Sequence, residues 1–248
     1  MPSLYYPECY ALVSGGKDSL TTANVLHEAG KLLGCVSFET TISTPDWKAF
    51  VVKVCAERGW PLEFYETDDS YEKIVLKYGF PGPGKHGLFM NYLKGRGVRK
   101  FKKAHPGCAL ASGTRKDESA RRLVNTLPVS VWEGVPILTP IYDWTTEEVW
   151  AYFRAKGFER SPAYATLGIS GDCLCGAFAR EDEIDAINYH YPEVARRLGG
   201  LEQQLRAKGS KRCDWGWGWK EPRKKTAKEA AICVECGDAA PIGGGGRG

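Results

Sequence analysis

The segment Ser14-Gly-Gly-Lys-Asp-Ser19 decides the fold class, because it joins a short apolar run to a stretch with helical periodicity. The apolar run, from Cys9 to Val13, predicts a buried strand. Apolar residues three apart follow it from Asp18 to Ala29, and Gly30 ends the predicted helix. Two glycines between a strand and a helix allow a tight turn whose backbone approaches a ligand closely.

The chemistry of this loop favours an anion with several oxygens, such as a phosphate or a sulfate. The start of a helix offers free N–H groups and the positive end of the helix dipole. Lys17 adds a positive charge, and Ser14 and Ser19 add hydroxyl donors. The spacing differs from the Walker loop, Gly-x-x-x-x-Gly-Lys-[Ser/Thr]. The alternative is an ordinary strand–helix turn, which the complete hexapeptide disfavours.

Predicted strands and helices alternate over roughly the first 155 residues. This order predicts an α/β fold in which helices cover both faces of a mostly parallel, five-stranded sheet. The predicted strands are residues 9–13, 34–38, 61–65, 108–112 and 137–141. The predicted helices are residues 18–29, 45–58, 70–78, 88–103 and 145–156, the last capped by Thr145 or Asp143.

The last third of the chain has a different character. Residues 161–178 read as a loop with two cysteines, and residues 181–208 read as one or two helices. We therefore divide the chain into a nucleotide-binding α/β domain (1–160), a helical, cysteine-rich segment (161–242) and a flexible tail (243–248).

Composition excludes several classes of protein. The chain has 248 residues, 43% of them hydrophobic, which disfavours global disorder. The sequence shows neither a long apolar run nor a secretory signal, so we expect a cytoplasmic protein that makes no membrane contact. Its net charge of +4 favours an anionic ligand without requiring nucleic acid. The basic stretch 94–103 fits either a solvated helix face or a nucleic-acid contact.

Four segments together carry a family resemblance. The hexapeptide resembles the pyrophosphate loop of the adenine nucleotide α-hydrolase-like superfamily, which includes ATP pyrophosphatases, tRNA thiolation enzymes and phosphoadenosine phosphosulfate (PAPS) reductases. The other three are similar to the PAPS reductase branch: Gly79-Phe-Pro81 with Leu93-Lys94, Gly113-Thr-Arg-Lys-Asp-Glu-Ser-Ala-Arg-Arg122, and Pro140-Ile-Tyr-Asp-Trp-Thr-Thr-Glu-Glu-Val-Trp150. Their order and approximate spacing match over residues 10–180.

The resemblance implies a set of binding and catalytic residues. The phosphate or sulfate of an adenine nucleotide (PAPS, APS or ATP) would bind the loop residues Ser14, Gly15, Gly16, Lys17, Asp18 and Ser19. Arg115 and Arg122 would bind another anionic group at the carboxyl edge of the sheet, with Glu118 orienting them. Lys17 and Arg115 would also take part in catalysis.

Nine cysteines are many for a reducing compartment, where disulfides are a poor explanation. Four of them stand singly in apolar settings and resemble buried small hydrophobic residues: Cys9, Cys35, Cys55 and Cys108. Two close pairs, Cys173 with Cys175 and Cys233 with Cys236, suit a four-thiolate metal site. Ligand count allows an iron–sulfur cluster or zinc. The family resemblance favours a [4Fe–4S] cluster, and Cys213 is a spare ligand.

Cys236 has a second interpretation. Glu235-Cys236-Gly237 resembles the Glu-Cys-Gly-Leu-His tail of sulfonucleotide reductases, whose cysteine attacks the sulfonate sulfur. Here Asp238-Ala239 replaces Leu-His, which favours Cys236 as a ligand. The Cys-Cys pair of cluster-bearing APS reductases is also missing near Leu93-Lys94, so a cluster here would have different ligands.

The remaining chemistry-bearing residues have structural interpretations. The four histidines His27, His86, His105 and His190 do not pair at ligand spacing, and we expect each to be a surface residue or a hydrogen-bonded core residue. The segment from Trp215 to Trp219 either stacks bases or packs over the domain or the metal site, and packing is favoured.

These features predict a PAPS reductase-type enzyme that reduces an adenylyl sulfate with a thiol reductant such as thioredoxin. One alternative is an ATP-dependent sulfurtransferase that releases pyrophosphate and inserts sulfur into tRNA or DNA. Another is a nucleotide-binding or iron–sulfur regulatory protein without catalysis. A homo-oligomer is compatible with each.

Overall fold

The computed structural model describes residues 6–119, 122–123, 126–180 and 182–217. The predicted metal ligands Cys233 and Cys236 lie outside these residues, as does the predicted flexible tail.

A single mostly parallel sheet forms the centre of the fold. Its strands are Cys9–Leu12 (β1), Leu32–Glu39 (β2), Leu62–Glu66 (β3), Ala109–Ala111 (β4), Val129–Trp132 (β5) and Val135–Leu138 (β6). They lie in the order β3-β2-β1-β4-β6-β5. All pairs are parallel except β5 with β6. The α/β fold class is confirmed, with six strands in place of the predicted five.

The sequence interpretation missed β5 because its apolar residues face the wrong way for a core strand. Val129 and Val131 are more than half exposed, whereas Trp132 packs edge-on against Phe38 at 6.3 Å between ring centroids. A two-residue turn joins β5 to β6, and both of its residues, Glu133 and Gly134, have positive φ angles. That turn is typical of a tight hairpin.

Nine α-helices are described around the sheet. They are Lys17–Glu28 (α1), Trp47–Glu57 (α2), Tyr71–Tyr78 (α3), His86–Met90 (α4), Arg96–Ala104 (α5), Thr146–Ala155 (α6), Pro162–Leu167 (α7), Glu183–His190 (α8) and Pro192–Ala207 (α9). Thr145 caps α6 by accepting a hydrogen bond from the backbone N–H of Glu148, as predicted for one of the two candidate caps.

Two predicted elements need correction. Residues 88–103 do not form one helix, because a π-helical turn at Asn91–Gly95 separates α4 from α5. Residues 161–178 are not entirely loop, because they contain α7. The start of α7 carries ordinary signals, since the Ser161 hydroxyl accepts a hydrogen bond from the Tyr164 N–H and Pro162 stands at the first position. The helix is short, and this hid it in the sequence.

Alternate residues of β1 point to opposite faces of the sheet, where they join different cores. Cys9 and Ala11 pack with residues of α1, α2 and α6, and Tyr10 packs with residues of α5. Cys9, Cys35 and Cys55 are almost fully buried in the first of these cores, which confirms their interpretation as small hydrophobic residues, and Cys108 is half-buried.

A third core joins the C-terminal helices to the rest of the chain. Side chains of α8 and α9 pack with α3, with residues 167–179 and with Trp215. This core includes residues from both sides of position 160, where the sequence predicted a domain boundary. The division of the chain into domains stays a prediction. No helix within the described ranges is long and apolar enough to span a bilayer.

Sheet topology brings two of the predicted site segments together. The loop 14–19 follows β1 and the segment 112–118 follows β4, and these strands are parallel neighbours. Their carboxyl ends therefore open at the same edge of the sheet, which is where open α/β sheets bind ligands.

Candidate functional site

Hydrogen bonds hold the loop Ser14–Ser19 in a defined turn. The Ser19 hydroxyl donates to the Gly16 carbonyl at 2.9 Å and accepts from the Ser14 N–H at 3.2 Å. The Trp47 indole N–H donates to the Ser14 carbonyl at 2.7 Å, which ties the loop to α2. The loop therefore keeps its shape through contacts of its own and with the adjacent helix.

Glycine is required at the centre of this turn. Gly15 has a φ of +87°, a conformation that costs other residues about 1–2 kcal/mol. A Cβ there would also lie 3.2 Å from the Phe50 ring and 3.3 Å from Val51. Gly16 is the N-cap of α1 and has no side chain that could accept a hydrogen bond from the N–H groups of the first helical turn. This is the arrangement that helix starts use to bind anions.

A buried carboxylate organises the positive charges beside the loop. Asp18 is 1% exposed and lies between two cations, accepting from Lys17 Nζ at 2.8 Å and from Arg115 Nε at 2.7 Å. The Arg115 guanidinium also donates to the Trp144 carbonyl at 3.1 Å. Arg115 is fully buried, so its observed contacts are those of a residue that holds Asp18 and the start of α6.

Close backbone approach makes the Asp18–Arg115 ion pair possible. Gly113 follows β4, and a Cβ at this position would lie 2.7 Å from the Asp18 carbonyl carbon and 2.8 Å from the Ser19 nitrogen. Real Cβ atoms do not approach backbone so closely, so only glycine lets the segment after β4 contact the start of α1.

Glu118 and Arg122 extend this charge cluster. Glu118 accepts from the Arg115 backbone N–H at 2.8 Å, and its other oxygen pairs with Arg122 Nε at 2.8 Å. Burial raises the pKa of Glu118 to about 7, with the charge of Arg122 acting in the opposite direction and that of Asp18 adding to the rise. The Arg122 side chain is buried, and its Nη1 has no hydrogen-bond partner in the described part of the chain.

The cluster has a positive balance. Three buried cations, Lys17, Arg115 and Arg122, face two buried carboxylates, Asp18 and Glu118, and protonation of Glu118 would increase the excess of buried positive charge. A third carboxylate, Asp117, lies 3.6 Å from Arg115 Nη1, but its side chain is 44% exposed and is not part of the buried charge. An excess of buried positive charge favours an anionic ligand, because charges in a low-dielectric site interact more strongly than in water. The structure thus brings together every predicted nucleotide-binding residue.

The sequence interpretation gave no role to Trp150 and Arg160, which lie beside the loop. Lys17 Nζ is 5.6 Å from the centroid of the Trp150 ring, and the Arg160 guanidinium is 4.7 Å from the same ring. Arg160 is exposed, so it adds a solvent-facing cation near the phosphate loop. No spacing rule links these positions, because only tertiary packing of α6 against α1 brings them together.

The predicted cysteine ligands are partly placed. Cys173 and Cys175 are 7% and 4% exposed and share one core. Tyr71 Oη donates to the Cys175 carbonyl at 2.8 Å, and the Trp215 indole donates to the Leu174 carbonyl at 2.9 Å. Trp215 therefore packs over the cysteine segment, as favoured from the sequence. The described residues alone do not bring three metal-binding side chains together.

The histidines differ from one another. His27 and His190 are exposed, and His105 bonds to Tyr10 Oη and Glu63, so the expectation holds for these three. His86 contradicts it, because the side chain is 1% exposed and neither ring nitrogen has a hydrogen-bond partner among the described residues.

The basic stretch 94–103 is largely neutralised by acidic neighbours. Arg96 pairs with Asp69, Arg99 with Glu133 and Lys100 with Asp68. These pairs are typical of a solvated surface helix, which is the first of the two interpretations that the sequence allowed.

Known proteins resemble parts of this chain. The tRNA-5-methyluridine(54) 2-sulfurtransferase of Pyrococcus horikoshii is 31% identical over 170 residues, 59% of this chain, and the match spans about half (52%) of that protein. PAPS reductase from Candida auris superposes with a TM-score of 0.50 and 19% identity over 68% of this chain and 81% of that one, which shows a shared fold. The U34-tRNA thiolase NcsA of Methanococcus maripaludis, with its [4Fe–4S] cluster, gives a TM-score of 0.45 and 18% identity over 83% of this chain and 74% of that one.

A family model covers most of the described α/β region. The model for the phosphoadenosine phosphosulfate reductase domain matches residues 8–176, a range that includes the phosphate loop, the Gly113–Arg122 segment and the first cysteine pair. The chain therefore belongs to the phosphoadenosine phosphosulfate reductase domain family.

Proposed function

We propose that the chain is an ATP-dependent sulfurtransferase, which activates a carbonyl group of a nucleic-acid base and replaces its oxygen with sulfur. The observation that carries the proposal is the preformed, positively charged loop Ser14–Ser19 with the Lys17–Asp18–Arg115 cluster behind it. The 31% identity with a tRNA 2-sulfurtransferase supports a tRNA base as the acceptor, because that relative is named for the transfer of sulfur to a tRNA base.

The proposed reaction has two steps. The acceptor carbonyl oxygen attacks the α-phosphorus of ATP, the bond to the bridging oxygen breaks, and pyrophosphate leaves with the electron pair. A hydrosulfide-equivalent donor then attacks the carbonyl carbon, and AMP leaves with the former carbonyl oxygen. Neither step changes the oxidation state of the base.

The protein's part in the first step is electrostatic. Negative charge grows on the leaving pyrophosphate, next to the N–H groups at the start of α1 and the ammonium of Lys17. Arg115 is buried, so we assign it the positioning of Asp18, which in turn orients Lys17. The buried Nη1 of Arg122 has no hydrogen-bond partner among the described residues, and we propose that it binds a further anionic group of the nucleotide.

The metal centre belongs to the same proposal. Cys173 and Cys175 are buried thiols, which are soft donors suited to iron–sulfur clusters and zinc. The predicted set is completed by Cys233 and Cys236, which lie outside the described residues. A cluster held here would supply a site that binds the sulfur to be transferred, whereas zinc would hold the segment in place.

A second candidate function is thiol-dependent reduction of PAPS or APS. The family match over residues 8–176 favours it, because the family takes its name from that reaction. In this case the Cys236 thiolate would attack the sulfonate sulfur, the sulfur–oxygen bond would break, and the nucleotide phosphate would leave with the electron pair, which gives a thiosulfonate on Cys236. Thioredoxin or another dithiol would then attack the Cys236 sulfur and release sulfite, and the dithiol would be oxidised to a disulfide.

One pair of assays separates these functions. Purified protein is given ATP, bulk tRNA and sulfide, and pyrophosphate and thiolated nucleosides are measured. In parallel it is given PAPS or APS with a dithiol, and sulfite is measured. We expect tRNA-dependent pyrophosphate release that falls at least about 10²-fold in Lys17→Ala, since removing one charge-stabilising donor costs about that much. Lys53→Ala, a surface ion-pair residue, is the control and should stay active.

Three results would revise the proposal. Sulfite release without pyrophosphate release would establish the reductase. Nucleotide binding without turnover of either substrate would indicate a regulatory protein. Full pyrophosphate release by Lys17→Ala would remove the phosphate loop from the reaction.

A further inference from the structure

Arg160 is a surface arginine whose position is set by aromatic rings. Its side chain is exposed, and its guanidinium lies 4.7 Å from the centroid of the Trp150 ring and 5.4 Å from that of the Tyr164 ring. These two rings pack edge-on at 5.5 Å between centroids. Among the described residues, no carboxylate pairs with the guanidinium and no acceptor takes a hydrogen bond from it. Its positive charge is therefore open to a ligand from solution.

The sequence neighbours of Arg160 fix its backbone and leave its charge unpaired. Glu159 pairs with Lys53 Nζ at 2.7 Å. Ser161 is 2% exposed, and its hydroxyl caps α7 by accepting from the Tyr164 N–H at 3.1 Å. The adjacent carboxylate is thus engaged elsewhere, and the backbone that carries Arg160 is held at the start of α7.

These contacts suit a phosphate group as the ligand. A guanidinium that lies over an aromatic ring is held by its face, and its N–H donors remain in the plane of the group, where they match two oxygens of a phosphate. Because the rings already restrict the Arg160 side chain, less conformational freedom is lost when an anion binds. The side chain is therefore preorganised for a phosphate.

Trp150 contacts both Arg160 and the phosphate loop. Lys17 Nζ lies 5.6 Å from the centroid of the ring that Arg160 covers. Lys17 is 8% exposed, whereas Arg160 is open to solvent. The two cations thus share one aromatic neighbour but have different surroundings. Lys17 belongs to the buried charge cluster, and Arg160 lies at the rim of the site.

The basic stretch 94–103 suits a nucleic-acid phosphate less well. Its cations Arg96, Arg99 and Lys100 are paired with carboxylates. A phosphate bound there would have to displace these partners, whereas no described carboxylate has to leave Arg160. Among these cations, Arg160 is also the one that shares a ring with Lys17.

We propose that Arg160, held against Trp150 and Tyr164, binds a backbone phosphate of the nucleic-acid acceptor while ATP occupies the loop Ser14–Ser19. The inference rests on the proposed function, because a base that reaches the α-phosphorus of ATP brings the phosphates beside it to the rim of the site. It assigns Arg160 to binding of the acceptor and not to the chemical step. Loss of the arginine should therefore change the affinity for the acceptor and leave that for ATP unchanged.

The test compares the full-length natural chain with Arg160→Ala, Arg160→Lys and Arg96→Ala. Arg96 is the matched control, since its guanidinium also lies over a ring, that of Tyr92 at 5.0 Å, but is paired with Asp69. Fluorescently labelled bulk tRNA is titrated with each protein at several salt concentrations, with a non-hydrolysable ATP analogue present. Binding of ATP and of adenosine 3′,5′-bisphosphate is measured separately, and thermal unfolding checks that each variant is folded.

We expect Arg160→Ala to weaken tRNA binding at least about tenfold, because charge-assisted hydrogen bonds to a phosphate are lost. The slope of log affinity against log salt concentration should fall by about one, the value for one phosphate contact. Arg160→Lys should restore the slope but only part of the affinity, since lysine keeps the charge without the planar donors. Arg96→Ala should bind tRNA like the natural chain, and all four proteins should bind ATP equally.

Unchanged tRNA affinity and salt slope in Arg160→Ala would overturn the inference. An equal loss in Arg96→Ala would overturn it as well, because it would indicate a general effect of net charge. Weaker binding of adenosine 3′,5′-bisphosphate or ATP, with tRNA binding intact, would assign Arg160 to a phosphate of the nucleotide instead. A natural chain that does not bind tRNA would also reject it.

Activity assays on the same samples separate this inference from the proposed function. If the natural chain releases pyrophosphate in a tRNA-dependent reaction and Arg160→Ala has the same KM for tRNA, Arg160 is rejected and the reaction stays in place. Sulfite release from PAPS by a chain that does not bind tRNA would reject both.

Discussion

Asp18 connects the phosphate loop to the rest of the site. Its carboxylate is nearly fully buried and holds Lys17 on one side and Arg115 on the other. Removing one member of a buried ion pair leaves an uncompensated charge, which costs about 3–5 kcal/mol. The arrangement of charges beside the loop thus depends on residues that a nucleotide need not contact.

The positive φ of Gly15 predicts a specific effect of Gly15→Ala. Alanine would be strained by about 1–2 kcal/mol and would also press on Phe50 and Val51, so nucleotide affinity should fall at least tenfold. Gly30→Ala is the matched control, because Gly30 also has a positive φ but a Cβ there meets nothing within 4 Å. The measurement is chemical unfolding together with ATP titration. Equal affinities in the two variants would show that loop shape is not what binds ATP.

The raised pKa of Glu118 predicts how stability depends on pH. Because its folded pKa, about 7, exceeds the value near 4.5 of an exposed glutamate, the folded state retains this proton between these two pH values. The protonated carboxyl of Glu118 therefore makes its full contribution to the free energy of unfolding below about pH 4.5, and this contribution is lost as the pH rises through about 7.

Glu118→Gln keeps the neutral shape and removes the titration. The free energy of unfolding of the natural chain, relative to this variant, should therefore fall by about 2–3 kcal/mol between pH 4.5 and 7.5. Denaturant titrations at several pH values measure it. A difference independent of pH would mean that Glu118 is ionised throughout, paired with Arg122.

At the scale of elements, the contact between β4 and α1 is the tightest constraint on the site. In Gly113→Ala the new Cβ would meet backbone atoms of Asp18 and Ser19, which cannot move aside cheaply. We expect a loss of about 2–3 kcal/mol in unfolding free energy, typical of overpacking, and weaker ATP binding.

The control for Gly113→Ala is Gly199→Ala, in the middle of α9, where a Cβ meets nothing within 4 Å. Alanine is a better helix former than glycine, so this variant should gain up to about 1 kcal/mol. Thermal unfolding and ATP titration compare the two. If Gly113→Ala behaved like Gly199→Ala, the close approach of β4 to α1 would be incorrect.

Elements with strong local signals were predictable from the sequence. Apolar runs beside glycine gave the parallel strands, and Thr145 with Glu148 marked the start of α6. Elements that depend on tertiary packing were not. The valines of β5 face solvent. A π-helical turn separates α4 from α5, and Gly97 in the first turn of α5 packs closely against the Phe38 ring.

Across the whole molecule, the parallel sheet explains why the binding residues could be predicted and the rest of the site could not. The loop 14–19 follows β1 and the segment 112–118 follows β4, so these parallel neighbours place both segments at the same edge of the sheet. This placement follows from the order of the motifs and the topology of the sheet. The burial of Arg115 and of His86 and the approach of Arg160 to Trp150 depend on packing between distant segments. Linear patterns carry no record of such contacts.

The most direct test of the central claim is a crystal structure of the chain with a non-hydrolysable ATP analogue. The account predicts phosphate oxygens within hydrogen-bonding distance of the backbone N–H groups of residues 15–17 and of Lys17 Nζ. Phosphates bound elsewhere on the molecule, with the turn at Ser14–Ser19 closed by its own side chains, would contradict it.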